Sequence, residues 1–122
     1  RWERQPLFAS HADLPEQVRA EQRRERLRHS AAGLAASLRG AGQGAMDPLH
    51  DRLPLISVPT LVLAGSLDSI GLERAETVAS GIPGARLERI LGAGHTPHLE
   101  RPDPFTMMTT DFLALSQPSH TR

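Results

Sequence analysis

The sequence predicts an α/β fold in which parallel strands are joined by crossover helices and preceded by helical segments. Three observations point there. Residues 59–65, Pro-Thr-Leu-Val-Leu-Ala-Gly, form a short continuous apolar run, the pattern of a strand buried on both faces of a parallel sheet. Residues 72–80 then read as a helix, 85–91 as a second strand and 105–115 as a last helix, which is the order of a doubly wound sheet. Residues 14–38 are crowded with Arg, Glu, Gln and Ala and lack proline after Pro15, a helical composition.

The elements can be justified in turn. Val18, Leu27, Leu34 and Leu38 recur at broadly helical spacing, with Asp13 the expected N-cap, Pro15 in the first turn and Glu16 three residues after the cap. The stretch 29–33, His-Ser-Ala-Ala-Gly, predicts a break into two helices, and Gly40, Gly42 and Gly44 end the second. Residues 40–54 read as a connector, with Leu49, Leu53 and Leu55 as packing contacts. The first strand runs into a loop over 66–71. Gly81-Ile82-Pro83-Gly84 stops the helix that follows. In the second strand Leu87 and Ile90 alternate with charged neighbours, and 92–104 is expected to be another loop. The last helix places Met108, Phe112 and Leu115 on one stripe, ahead of a polar tail.

Composition excludes several classes of function. With 122 residues the chain has room for one compact domain. Lys plus Arg and Asp plus Glu each number 14, so no net field draws it to nucleic acid or to an anionic membrane. The absence of cysteine removes disulfides, thiolate metal sites and a cysteine nucleophile together. No apolar run approaches the roughly 20 residues of a membrane span, and Arg1-Trp2-Glu3-Arg4 has no signal-peptide pattern. A cytoplasmic location is expected. A sequence opening on Arg1 is expected to be cut from something longer.

Two loops carry residues of catalytic type, each just beyond the C-terminal end of a strand. Asp68 follows Gly65 by three residues, and His95 closes Gly92-Ala93-Gly94-His95. Singly, such an Asp is more often a turn or cap residue and such a His a solvated loop residue. As a pair separated by one β-α-β unit they fall at neighbouring positions on one sheet edge. There a carboxylate can hold an imidazole in the tautomer that leaves its other nitrogen free as a base. The small residues before His95 allow a tight turn. His98 follows at a spacing that could suggest a metal pair, but its loop placement without accompanying carboxylates favours packing or hydrogen bonding.

Taken together, Pro59-Thr60-Leu61-Val62-Leu63-Ala64-Gly65-Ser66-Leu67-Asp68 and Gly92-Ala93-Gly94-His95-Thr96-Pro97-His98-Leu99-Glu100-Arg101-Pro102 resemble the C-terminal part of the α/β-hydrolase superfamily. The resemblance implies a chain order of serine nucleophile, acid and histidine, with Asp68 and His95 as the second and third members. No Gly-x-Ser-x-Gly nucleophile elbow and no glycine-rich oxyanion loop occurs in these 122 residues. Residues 1–50 correspond to a helical cap region and connector, 51–116 to the C-terminal β-α-β-α part of the core and 117–122 to a loose tail.

The front of the chain narrows the resemblance. Trp2-Glu3-Arg4-Gln5-Pro6-Leu7-Phe8, Arg26-Leu27 and Gly33-Leu34-Ala35-Ala36-Ser37-Leu38-Arg39-Gly40-Ala41-Gly42 are similar to the cap of the menaquinone-pathway 2-succinyl-6-hydroxy-2,4-cyclohexadiene-1-carboxylate synthases, the MenH family. That family eliminates pyruvate from a succinyl-enolpyruvyl-cyclohexene carboxylate, using its triad as a base. The resemblance implies a small-molecule carboxylate substrate bound by Trp2 and Arg26, with no cofactor, metal, nucleic acid or membrane partner. It leaves the oligomeric state open. Counting from Trp2 places the cap arginine at Arg23, and counting back from Leu34 places it at Arg26. Arg19, Arg23, Arg24, Arg26 and Arg28 share a helix on which most face water beside Glu16, Glu21 and Glu25. The chain departs from the family at Ser66, where an acidic residue is usual, and at Ile70-Gly71, where Lys-Phe is usual. Those departures keep open a generic α/β hydrolase, an esterase or carbon-carbon hydrolase. The lack of an elbow keeps open a catalytically silent chain.

Overall fold

The computed structural model describes residues 5–116. Trp2 and the expected tail at 117–122 therefore lie outside the described residues. A 3-10 helix at Pro6–Asp13 leads into two α-helices, α1 at Glu16–Arg28 and α2 at Ala31–Ala41. A second 3-10 turn, His50–Leu55, precedes strand β1 at Leu61–Gly65, helix α3 at Ser69–Gly81 and strand β2 at Arg86–Ile90. Short α4 at Pro97–Glu100 and α5 at Pro102–Ser116 complete the order.

Strands β1 and β2 pair in parallel, with Leu61 opposite Arg86 and Gly65 opposite Ile90. Because side chains alternate between faces, this register sets the ends of both strands side by side, and with them the loops that carry Asp68 and His95. Ala64, Ala75, Ile82, Ile90 and Ala93 form the buried apolar centre of the unit, with Ile90 and Ala93 fully enclosed at 0 % exposure. Leu53 of the second 3-10 turn packs on α3 at Gly81, where a Cβ would stand 2.7 Å from its Cδ1. Leu49 and Leu55, also expected as packing contacts, are exposed.

The front of the molecule is built differently. The break between α1 and α2 falls where the sequence places it, and the Ser30 hydroxyl caps α2 by accepting from the Gly33 amide at 2.9 Å. Neither helix buries a residue completely. Instead α1 is laced by pairs one turn apart, Arg19 to Glu16, Arg24 to Glu21 and Arg28 to Glu25, each of which supports a helix by a few tenths of a kcal/mol in water, about 0.3. Leu27, Leu34 and Leu38 are exposed and only Val18 of that spacing is half-buried.

Three further expectations need correction. Asp13 does not cap α1: it closes the 3-10 helix, and Pro15 occupies the cap position with no side-chain bond. A Pro6-led turn, absent from the helical periodicity, has taken Asp13 into its own last turn. The stretch 92–104 is not all loop, because Pro97 starts α4 and Pro102 starts α5. Proline suits a first helical position, where the missing N–H has no partner to lose. On α5, Met108 and Phe112 turn inward while Leu115 is exposed. No described helix is long and apolar enough to cross a membrane.

Candidate active site

Beyond β1 the chain turns at Ser66–Leu67 and starts α3. Asp68 is the N-cap of that helix, and its Oδ1 accepts from the Gly71 amide at 2.9 Å. The same carboxylate turns its other oxygen to the second loop: His95 Nδ1 stands 2.6 Å from Asp68 Oδ2. An ionised carboxylate only accepts, so Nδ1 carries the proton and Nε2 is left as the basic nitrogen. Asp68 thus does both things its sequence position allowed, capping a helix and holding an imidazole. Its side chain is 9 % exposed and that of His95 42 %. Burial pushes the Asp68 carboxyl upward, but the hydrogen bonds from His95 and Gly71 and the charges of His95 and Arg74 outweigh it, holding the carboxyl below its usual value.

Close backbone approach makes this contact possible. Gly92 has φ +69°, a conformation open to glycine and strained for other residues. A Cβ on Gly65 would stand 2.1 Å from the Gly94 carbonyl oxygen and 2.4 Å from that of Ala93, so the end of β1 lies directly against the histidine loop. The two loops are stitched by Leu67 N to Ala93 O at 2.8 Å and by Gly92 N to Ser66 Oγ at 2.9 Å. Ser66, a departure from the family pattern, therefore has a role in joining the loops.

Residues the sequence did not single out complete the surroundings. The Pro6–Asp13 segment lies over the histidine loop, with the Phe8 ring edge-on to His95 at 5.8 Å and 5.1 Å from His11. His11 Nε2 is 2.6 Å from Thr96 Oγ1. Burial holds the His11 imidazole below its ordinary pKa, and the charges of Arg26 and His95 act in the same direction against the opposing Glu100. Glu100, at the end of α4, accepts from the amides of Gly94 at 2.6 Å and Thr96 at 3.0 Å. No periodicity marks these residues; the signal is a run of polar side chains in a proline-led segment, meaningful only once it is docked.

Two clefts meet at this segment. One of about 400 Å³ is lined by Pro6, Leu7, Leu67, Asp68, Ile70 and His95 among others. The other, about 580 Å³, lies between the segment and α1 and is lined by Phe8, His11, Arg19, Arg23 and Arg26, with Glu16 its acidic residue. Arg23 and Arg26 thus face the same cleft, Arg26 half-buried and Arg23 exposed. The structure brings Asp68 and His95 into contact, while Arg26 lines the other cleft together with His11. His98 stands apart from the pair, with its ring 5.9 Å from Phe105, a packing contact. Among the described residues no three His, Cys, Asp or Glu side chains converge as metal ligands would.

No family model matches the chain. It is similar to a Bacillus subtilis protein that carries the provisional name 2-succinyl-6-hydroxy-2,4-cyclohexadiene-1-carboxylate synthase, at 38% identity over 112 residues, 92% of this chain and 41% of that protein. It superposes on the structure of MenH from S. aureus with a TM-score of 0.93 and 39% identity, over 96% of this chain and 44% of that one. A thermophilic esterase from Thermogutta terrifontis superposes with a TM-score of 0.58 and 25% identity, over 85% of this chain and 52% of that one. The chain spans less than half the length of the first two proteins.

Proposed function

The chain forms the C-terminal part of an α/β-hydrolase fold and is MenH-like in sequence, and on that premise we propose that it supplies the acid and the base of a Ser-Asp-His triad in a carbon-oxygen lyase of menaquinone biosynthesis. The reaction is elimination of pyruvate from 2-succinyl-5-enolpyruvyl-6-hydroxy-3-cyclohexene-1-carboxylate to give 2-succinyl-6-hydroxy-2,4-cyclohexadiene-1-carboxylate. The observation that carries this reading is the His95 Nδ1 to Asp68 Oδ2 contact of 2.6 Å in a cleft that both residues line, which meets a second cleft lined by Arg19, Arg23 and Arg26 at the Pro6–Asp13 segment.

The chemistry follows from that pair. The triad, with His95 as its terminal base, takes a proton from a ring carbon; the electrons of the broken C–H bond form a new ring double bond, and the existing one shifts along the ring toward the carbon that bears the enolpyruvyl oxygen. The C–O bond to the enolpyruvyl group breaks, and pyruvate leaves as its enol, which then gains a proton at carbon. Asp68 keeps the imidazole in the productive tautomer and stabilises it once protonated. Arg26 and Trp2 hold the substrate's carboxylates, Arg26 offering a planar pair of donors suited to them. On this reading the serine and the oxyanion donors come from residues beyond these 122, the chain alone is inactive, and the enzyme is cytoplasmic.

Likeness to the esterase, together with Ser66 and Ile70-Gly71 in place of the usual acidic and Lys-Phe residues, favours a second reading as a generic α/β hydrolase. One assay separates the two. The full reading frame that contains this chain is purified and given the succinyl-enolpyruvyl substrate and, separately, simple esters. Release of pyruvate that is lost in His95→Ala supports the lyase. Ester hydrolysis without pyruvate release replaces it with the hydrolase.

A further inference from the structure

We propose that Glu100 is a positioning residue for His95, its carboxylate gripping the backbone on both sides of the histidine so that the imidazole meets Asp68. The proposal rests on the reading of His95 as the base and adds a residue to that site. Glu100 Oε2 accepts from the Gly94 amide at 2.6 Å, while Oε1 accepts from the Thr96 amide and the Thr96 hydroxyl, each at 3.0 Å. Residues 94 and 96 are the two neighbours of His95. The Ser10 hydroxyl of the overlying segment donates as well.

The physical argument turns on burial. The Glu100 side chain is only 4 % exposed, and a carboxylate is withdrawn from water at a penalty that only strong donors offset. Here the donors outweigh it: burial raises the Glu100 carboxyl, but the Gly94 and Thr96 amides and the Ser10 and Thr96 hydroxyls bring it below the usual value, so it stays ionised. Among the described residues, the titratable side chain at ion-pair range of Glu100 is His11, with Nε2 at 3.8 Å, an imidazole whose charged form burial disfavours. The carboxylate therefore spends its acceptors on the histidine loop rather than on a salt bridge. That loop needs a grip. His95 lies in neither strand nor helix, is preceded by glycine at 94, and is itself 42 % exposed. Apart from Asp68, what fixes its backbone is the chain around it.

Glu100→Gln keeps the shape and replaces one acceptor oxygen by an NH2 group, which faces an amide N–H and drives the loop out of place. A displacement near an ångström costs about 100-fold in rate at such a site. The experiment uses the full reading frame that contains the chain and two readouts: pyruvate release, and the low-field proton NMR resonance of the hydrogen between His95 Nδ1 and Asp68. The expected result in Glu100→Gln is loss or broadening of that resonance and a kcat drop of about 100-fold with KM changed less than about two-fold. Ile82→Val, which loosens the buried centre away from the loop, should lower the unfolding temperature and leave both readouts intact. A Glu100→Gln protein that is merely less heat-stable, with resonance and kcat unchanged, overturns the proposal. If that variant does not fold, Ser10→Ala removes a single donor to the carboxylate; a broadened resonance supports the proposal and an unchanged one overturns it. Wild-type protein that shows the resonance but releases no pyruvate ends the lyase reading while leaving the positioning role to be judged by the NMR alone.

Discussion

The α1–α2 pair and the β1–α3–β2 unit hold their shape by different means. In the helical pair no residue is fully buried, and order comes from local devices: turn-spaced ion pairs along α1 and the Ser30 cap on α2. In the strand unit the helix lies on a parallel pair, and Ile90, Ala64, Ala75 and Ala93 are enclosed between them. Each local device is worth tenths of a kcal/mol to about one, whereas one enclosed aliphatic side chain is worth about 2–3. Asp68 and His95 stand on the second kind of structure and the arginine-lined cleft borders the first. On the proposed function, a base must be held to within a fraction of an ångström, whereas a wall that receives a carboxylate tolerates a looser fit.

The largest expected effect lies at the rigid end. On the proposed function, Asp68→Asn in the full reading frame should preserve the fold and lower kcat by about 10,000-fold, because the amide lets the imidazole settle in the other tautomer. Steady-state pyruvate release, with circular dichroism as the check on folding, measures it. Arg26→Lys, on the compliant side, should raise KM more than it lowers kcat, since a point charge loses the two-pronged contact but leaves the base alone. Equal losses of kcat in the two variants would erase the distinction between the regions.

Next in size is stability. Ile90 is fully enclosed and Leu27 is 77 % exposed. Truncating Ile90 to Ala should destabilise the protein by about 3 kcal/mol, and the same change at Leu27 by less than about 0.5 kcal/mol. Denaturant unfolding of both variants checks this. A large loss at Leu27 would mean that α1 has an apolar neighbour outside the described residues.

The same contrast governs what the sequence made legible. The strand β1, the acid after it and the histidine after β2 were readable because each is a local signal: an unbroken apolar run, then a polar residue at a fixed distance beyond it. Their contact was inferable from parallel pairing, since the register places both strand ends together. The roles of Phe8, Ser10 and His11 were not readable, for they arise when an irregular segment docks on a distant loop, His11 meeting Thr96 85 residues further along the chain. Glu100 stood in the quoted motif, yet its job depends on a four-residue helix that folds its carboxylate back onto Gly94. Asp13 shows the opposite error: a good local cap signal was overridden by the neighbouring turn.

Acidification should separate the pieces in sequence. His11 has a folded pKa below its ordinary value because burial disfavours its charged form. The unfolded chain therefore binds the proton first, and stability falls as pH drops from about 6.5 toward the folded value. Asp68 and Glu100 are also depressed; they contribute stability above the ordinary carboxylate range, about pH 4, that is lost as pH falls through their folded values. Denaturation midpoints followed from pH 7 downward should thus decline in an upper and a lower stage. His11→Gln should remove the upper stage and leave the lower one. A single stage shared by wild type and variant would show that His11 is not enclosed in solution.

The smallest effect tests whether the helical pair behaves as its own unit. The Ser30 hydroxyl accepts from the Gly33 amide at 2.9 Å at the start of α2, and removing such a cap costs about 1 kcal/mol of helix stability. Because α2 buries no residue completely, that loss has little tertiary structure through which to spread. Ser30→Ala should therefore speed amide hydrogen exchange within residues 31–41 by about five-fold, the equivalent of that energy, while the global unfolding midpoint stays put. If the midpoint moves by the full amount and exchange quickens equally in β1 and β2, the two regions unfold as one, and the contrast between them is one of burial rather than of stability.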